Sequence, residues 1–226
     1  MDVRAATTAD RAAWNAATGP HAVRESYDRV ARSYAGALYD ELAAKPLDRH
    51  LLARFAEDVR GGGLVADLGS GPGQVARFLR DAGVPAIALD LAPGMAREAL
   101  LRDPRGGATA GDLRALPFAD GALRGLALFY AIVHFDAAGL AAAFRECRRV
   151  LCPGGLALVA FHVGTEVVHR GELFGEAVDL DFRFFETADV TRALGDAGLD
   201  VIETVEREPY PGVEHPSRRA YLLARG

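Results

Sequence analysis

Apolar and polar positions follow two different rhythms along this chain. Between residues 21 and 44, Val23, Tyr27, Val30, Tyr34, Leu38 and Leu42 recur at steps of three and four, the spacing that lines one face of a helix. Pro46 opens a second expected helix to about residue 59, with Leu47, Leu51, Leu52, Phe55 and Val59 on one stripe, and the run RGGG at 60–63 ends it. From residue 64 onward, short apolar runs alternate with amphipathic segments. Strands are expected at 64–68, 85–90, 123–130 and 156–161, with a weaker one at 108–112. Helices are expected at 74–82, 93–101 and 137–151, the last capped by Asp136, and at 188–197, capped by Thr187. Residues 199–208 and 217–225 alternate like paired strands, and 163–186 reads as irregular.

Strands separated by helices of this length describe βαβ units, and hence a largely parallel, doubly wound α/β sheet. The two closing strands are joined by a short loop and must pair antiparallel, because a parallel return needs a crossover. With 226 residues, half of them apolar, and no internal repeat, a single domain over residues 1–226 is expected. Residues 1–20 read as a loose arm, and 21–60 as a helical extension.

Charge and cysteine content narrow the partners. The chain has 26 basic against 31 acidic residues, a net charge of −5, which argues against gripping a phosphate backbone, so no nucleic acid is expected. No apolar run approaches the ~18 residues of a membrane span. The N-terminus lacks the cationic start and apolar block of a signal peptide. A cytoplasmic protein, monomer or homodimer, acting on a small molecule is the expectation. Cys147 and Cys152 have no metal-ligand partners at suitable spacing, so no metal is expected. Lys45, the only lysine, precedes Pro46 far along the chain from any glycine loop, which argues against a P-loop or Schiff-base role.

The segment VADLGSGPG at 65–73 carries the strongest chemical signal. A strand ends at 67–68, and glycines at 69, 71 and 73 let the backbone turn tightly and approach a ligand. Gln74 stands where a dinucleotide fingerprint would have its third glycine, so pyrophosphate binding is disfavoured. Asp90 ends the second strand, where a carboxylate can accept both hydroxyls of a ribose. Asp112 ends the third, placed to accept from an adenine amine. Leu91 and Leu113 follow them and can sandwich the base, while Asp67 lies beneath the loop, near a cationic amine if the ligand has one. Together these residues describe a ligand with an adenosine, a positively charged tail and no phosphate, seated in the switch-point crevice.

In these motifs the sequence resembles the class I S-adenosylmethionine-dependent methyltransferases, of the compact small-molecule type. VADLGSGPG (65–73), IALD (87–90), GDLRALPF (111–118), ALFYAIVHF (127–135) and FRECRRVLCPGG (144–155) carry the resemblance, which covers about residues 25–225. It implies a seven-stranded Rossmann-like sheet of order 3-2-1-4-5-7-6 with the last strand antiparallel. It also implies S-adenosylmethionine as cofactor, with Asp90 on the ribose, Asp112 on the adenine amine, and Gly69 and Gly71 beside the methionine moiety. Gln74 and Phe129 stand nearby, and Tyr27 and Tyr34 are expected to lid the cofactor from the N-terminal helices.

Methyl transfer needs an aligned nucleophile, and a base if that nucleophile carries a proton. His134 and His162, which follow the fourth and fifth strands, are the candidate bases, and Tyr130 a candidate to orient a substrate hydroxyl. His21, His50 and His215 read as surface residues. The stretch 163–186 has the composition of a substrate cover. Val167, Phe174, Phe182, Phe184 and Phe185 would supply walls, and Glu166, Glu172, Glu176, Asp179 and Asp181 would meet a polar or cationic group. The expected reaction is methylation of O or N on a small organic acceptor. The alternatives are a different reaction on the same scaffold, or a non-catalytic S-adenosylmethionine-binding protein.

Overall fold

A computed structural model describes residues 19–226; the arm expected at 1–20 lies outside the described residues except for its last two. Seven strands form one sheet in the order β3-β2-β1-β4-β5-β9-β8. Their ranges are β1 Val65–Leu68, β2 Ala86–Asp90, β3 Gly107–Ala110, β4 Leu123–Phe129, β5 Leu151–His162, β8 Asp200–Arg207 and β9 Arg219–Arg225. The first five pair in parallel, while β9 runs antiparallel to both β5 and β8. The expected topology is therefore present, with β9 and β8 in the places of the expected seventh and sixth strands.

Among the described residues six helices flank the sheet: α1 Pro20–Leu38, α2 Pro46–Val59, α3 Gln74–Asp81, α4 Pro93–Arg102, α5 Ala137–Val150 and α6 Thr187–Asp196. One face buries Leu68, Leu126, Leu128, Phe161 and Leu222 against Phe144 of α5 and Leu194 of α6. The other buries Val65, Ala88, Leu158 and Tyr221 against Leu52 and Phe55 of α2 and Leu79 of α3. Such two-sided burial explains why β1 is apolar or buried at every position, whereas the edge strand β8 alternates exposed and half-buried residues.

Three local expectations need correction. The helix expected over 21–44 stops at Leu38 and continues as a 3₁₀ turn, Glu41–Ala44. The buried Tyr39 ends it, its ring held between the guanidinium groups of Arg77 and Arg102 at 4.2 and 5.0 Å. Thr187 is not the cap of α6: Glu186 takes the cap position, and the Thr187 hydroxyl donates to Glu206 instead. The stretch 163–186 is not irregular. It holds an antiparallel hairpin, β6 Val167–Leu173 and β7 Glu176–Arg183, which lies on α1: Arg29 donates to the Ala177 carbonyl, and the Asp179 N–H donates to Ser26.

Candidate functional site

The strand order reverses between β1 and β4, and the chain leaves the ends of both strands into one crevice. Gly69 sits there with φ +67°, and a Cβ at that position would stand 2.5 Å from the Ala131 Cβ. Only glycine lets the loop after β1 pass so close to the turn after β4. Tyr130, the first residue of that turn, has φ 57°, a left-handed conformation that costs a tyrosine on the order of 1–3 kcal/mol and that concentrates at functional sites. Above the crevice lies a cavity of about 490 Å³, within the usual range for small-molecule sites.

Most residues singled out from the sequence line this cavity: Tyr27, Tyr34, Gly69, Gly71, Gln74, Asp90, Leu91, Asp112, Leu113, Phe129, Tyr130, His134 and His162. Asp67 does not. Its buried carboxylate accepts the Ala76 N–H of α3 at 2.9 Å, so it ties the loop to the helix behind it. Burial without a paired cation pushes its pKa up to about 7.

Asp90 lines the cavity with acceptor capacity to spare. One carboxylate oxygen accepts the Gly71 N–H at 2.8 Å and the other the Ala92 N–H at 2.9 Å, leaving further lone pairs on each. Desolvation outweighs these bonds and raises its pKa to about 6. Asp112 is gripped by the Arg114 side chain and stays well ionised for that reason. Gln74 donates its amide N–H to Glu41 at 3.0 Å, but its Oε1 is buried with no hydrogen-bond partner. A buried acceptor left without a partner is rare and has room for a donor.

The two tyrosines expected to lid the cofactor also meet. Tyr27 and Tyr34 stand edge to face with ring centroids 6.0 Å apart, and Phe174 at the hairpin tip abuts Tyr34 at 5.6 Å. The Tyr27 hydroxyl lies 2.8 Å from His134 Nε2, and His134 Nδ1 lies 2.8 Å from the Asp181 carbonyl. Since a carbonyl only accepts, Nδ1 carries the proton and Nε2 receives the Tyr27 hydrogen. Desolvation lowers the His134 pKa to about 4, which keeps this neutral form at physiological pH. The Tyr130 hydroxyl turns into the protein, 3.4 Å from Asp48 and 3.3 Å from the Tyr221 hydroxyl.

Of the stretch expected to cover the substrate, only Phe182 lines the cavity. Phe184 stacks on His162 at 4.9 Å, Phe185 joins the main core, and Val167 is exposed. Glu166, Glu172, Glu176 and Asp179 are exposed on or beside the hairpin. Sequence reasoning missed Lys45, Glu41, Glu214 and Arg219, all of which line the cavity. Lys45 was set aside for its distance along the chain from the glycine loop, yet it is buried and bonded to Glu41 at 2.6 Å. His215 is exposed as expected, but it also stands at the cavity rim. Among the described residues, no group of three or more His, Cys, Asp or Glu is placed to hold a metal, and no helix is long and apolar enough to cross a membrane.

Comparison with known proteins gives matching results. Residues 65–155 match a methyltransferase domain family. A demethylmenaquinone methyltransferase of Beutenbergia cavernae is 35% identical over 144 residues, 62% of this chain and 58% of that protein. A malonyl-[acyl-carrier protein] O-methyltransferase of Dechloromonas aromatica is 31% identical over 201 residues, 84% of this chain and 71% of that protein. The chain thus spans 58% of the length of the first relative and 71% of the second. Among solved structures, a SAM-dependent methyltransferase from Leishmania major superposes with a TM-score of 0.69 at 16% identity, covering 91% of this chain and 83% of that one.

Proposed function

From the premise that this chain belongs to the class I S-adenosylmethionine-dependent methyltransferases, we propose that it transfers the methyl group of S-adenosylmethionine to an oxygen or nitrogen of a small organic acceptor. The observation that carries this reading is one cavity in which a buried, uncompensated Asp90, the Gly69–Gly71 loop and the orphaned Gln74 Oε1 converge. Those groups fit the cofactor chemically. Asp90 offers lone pairs to ribose hydroxyls, Asp112 accepts from the adenine amine, and Leu91 and Leu113 flank the base. Gln74 Oε1 accepts from the ammonium of the methionine tail.

When bound, S-adenosylmethionine supplies an already activated methyl on a sulfonium, so the protein needs only to align the acceptor and exclude water. Alignment in well-oriented systems is worth roughly 7–11 kcal/mol. Tyr27 and Tyr34 of α1 and Phe182 of the hairpin close the cavity, and Tyr130 and His162 line it beyond the β1–β4 switch point. The Dechloromonas relative, named an O-methyltransferase, supports oxygen as the acceptor atom.

Isothermal titration with S-adenosylmethionine and with S-adenosylhomocysteine tests the reading. Micromolar binding of both, followed by conversion of the first to the second in the presence of an acceptor, is the expected result. Failure of a folded protein to bind either ligand sinks it.

A further inference from the structure

A hydroxyl that is methylated must give up its proton, and few groups around the cavity are placed to take one. Asp90 and Asp112 follow β2 and β3, on the side proposed for adenosine. Glu41 accepts from Lys45 and Gln74, and Glu214 from both Nη atoms of Arg207 and from the Tyr210 N–H. The His134 lone pair holds the Tyr27 hydrogen, and its other nitrogen donates to the Asp181 carbonyl. Tyr130 turns its hydroxyl toward Asp48 and Tyr221. His162 is packed between rings, stacked on Phe184 at 4.9 Å and 5.0 Å from Tyr130, with Nδ1 2.7 Å from the Ser217 hydroxyl. Desolvation and the neighbouring cations press its pKa down to about 3, which makes it a poor proton acceptor near neutrality.

His215 differs from all of these. It lines the cavity from the loop between β8 and β9, and neither of its ring nitrogens makes a hydrogen bond among the described residues. Whichever nitrogen carries the hydrogen, the other offers a lone pair. The residue is exposed, so a proton taken from the cavity can pass on to water. Its backbone is nonetheless fixed on both sides. The buried Glu214 side chain before it is clamped by Arg207. Its own carbonyl accepts from Nη1 of Arg219, a residue only 3% exposed, at 2.9 Å. The ring stands edge to face with His162 of β5 at 6.1 Å and with Phe184 at 5.8 Å. Desolvation, Arg170 of β6 and Arg219 of β9 all hold its pKa below the ordinary 6.5, so the free ring is neutral at physiological pH. The same two cations favour an oxyanion beside it.

Extending the methyltransferase reading, on which this rests, we propose that His215 is the catalytic base, taking the proton of an acceptor hydroxyl with the positive charge of Arg219 beside the oxygen. As that oxygen bonds to the methyl carbon, the C–S bond breaks and its electron pair passes to sulfur. The O–H electron pair stays on oxygen, and the proton moves to the free nitrogen of His215. The products are a methyl ether, a neutral thioether and an imidazolium that returns its proton to water. The base thus comes from the loop between β8 and β9, and not from the strand-end histidines expected from the sequence.

The test loads ¹⁵N-histidine-labelled protein with S-adenosylhomocysteine and titrates it with 4-nitrophenol at about pH 6.5, where the free phenol is mostly neutral. Phenolate absorbance and the histidine nitrogens are followed together. The expected result is a saturable rise in phenolate absorbance, with His215 alone among the histidines becoming an imidazolium. His215→Gln should lose the phenolate signal while keeping S-adenosylhomocysteine affinity within about twofold. His215→Gly should lose it too, and added imidazole should restore part of it. A wild-type protein that binds the phenol in neutral form, that forms phenolate with the His215 nitrogens unmoved, that protonates His162 instead, or that shows no saturable phenol response would overturn the proposal, whatever the fate of the variants. A protein that takes up no S-adenosylhomocysteine fails the methyltransferase reading itself.

Discussion

Replacing Asp90 by asparagine isolates the proposed ribose contact. The side chain keeps its shape, and it is 8% exposed, so no cavity opens. Both carboxylate oxygens accept backbone N–H groups, from Gly71 and Ala92, so the asparagine amide must turn its NH₂ toward one of them. Two effects oppose each other in the free protein. One charge-assisted bond is lost, worth about 1.5–3 kcal/mol, while a buried charge that desolvation holds at a pKa of about 6 disappears. Stability should therefore change little. In the complex no such relief applies, because the carboxylate would be the acceptor for the ribose hydroxyls. Losing one hydrogen bond to a charged group, about 1.5–3 kcal/mol, weakens S-adenosylhomocysteine binding by roughly 10- to 150-fold. The same carboxyl predicts a pH dependence. Ligand binding favours its ionised form, so wild-type affinity should hold above pH 6 and fall by about tenfold per unit below it, whereas Asp90→Asn should lack that descent. Calorimetric titrations of both proteins between pH 4.5 and about 8 measure the two effects together. An Asp90→Asn protein that binds within twofold of wild type, with the same pH profile, would refute the assignment.

Other substitutions probe the frame around that contact. Gly69→Ala forces a Cβ into a positive-φ position against Ala131 and should destabilise the fold by roughly 2–4 kcal/mol, from left-handed strain plus overpacking, as read by urea denaturation. Asp67 carries a pKa raised to about 7 above an unfolded value near 3.9. It binds its proton more tightly when folded, so its contribution is full below about pH 4 and is lost as pH rises through 7. Asp67→Asn should flatten that part of a stability–pH curve, and an unchanged curve would count against the buried, unpaired charge. Tyr27→Phe removes the hydrogen bond to His134 Nε2 and should cost about 0.5–1.5 kcal/mol. His134 should keep its proton on Nδ1, bonded to the Asp181 carbonyl, and a switch to the Nε2–H form in NMR spectra would contradict the geometry.

Much of the wall formed by Gly69, Asp90 and Asp112 was readable in the letters because its signals are local. Each of Gly69, Asp90 and Asp112 lies within a few residues of a strand end, and a parallel strand fixes where its C-terminal residue points. The strand rhythm itself follows from two-sided burial of β1, β2, β4 and β5. The hairpin 167–183 was missed for the opposite reason. Its strand β6 is largely exposed, so no apolar alternation marks it, and its order comes from lying on α1.

The polar end of the cavity around Lys45, Glu214 and His134 belongs to tertiary structure alone. Lys45 stands before α2 and Glu214 in the loop between β8 and β9, 169 residues apart in sequence, yet they lie within 3.9 Å. Tyr27 and His134 are joined across 107 residues, and only that bond reveals that the histidine's lone pair is taken. Periodicity and strand-end motifs record which surface each segment buries and where a backbone must turn. They carry no record of which polar tips are brought together once the sheet closes, and hydrogen-bond direction, protonation and field at this site depend on those tips.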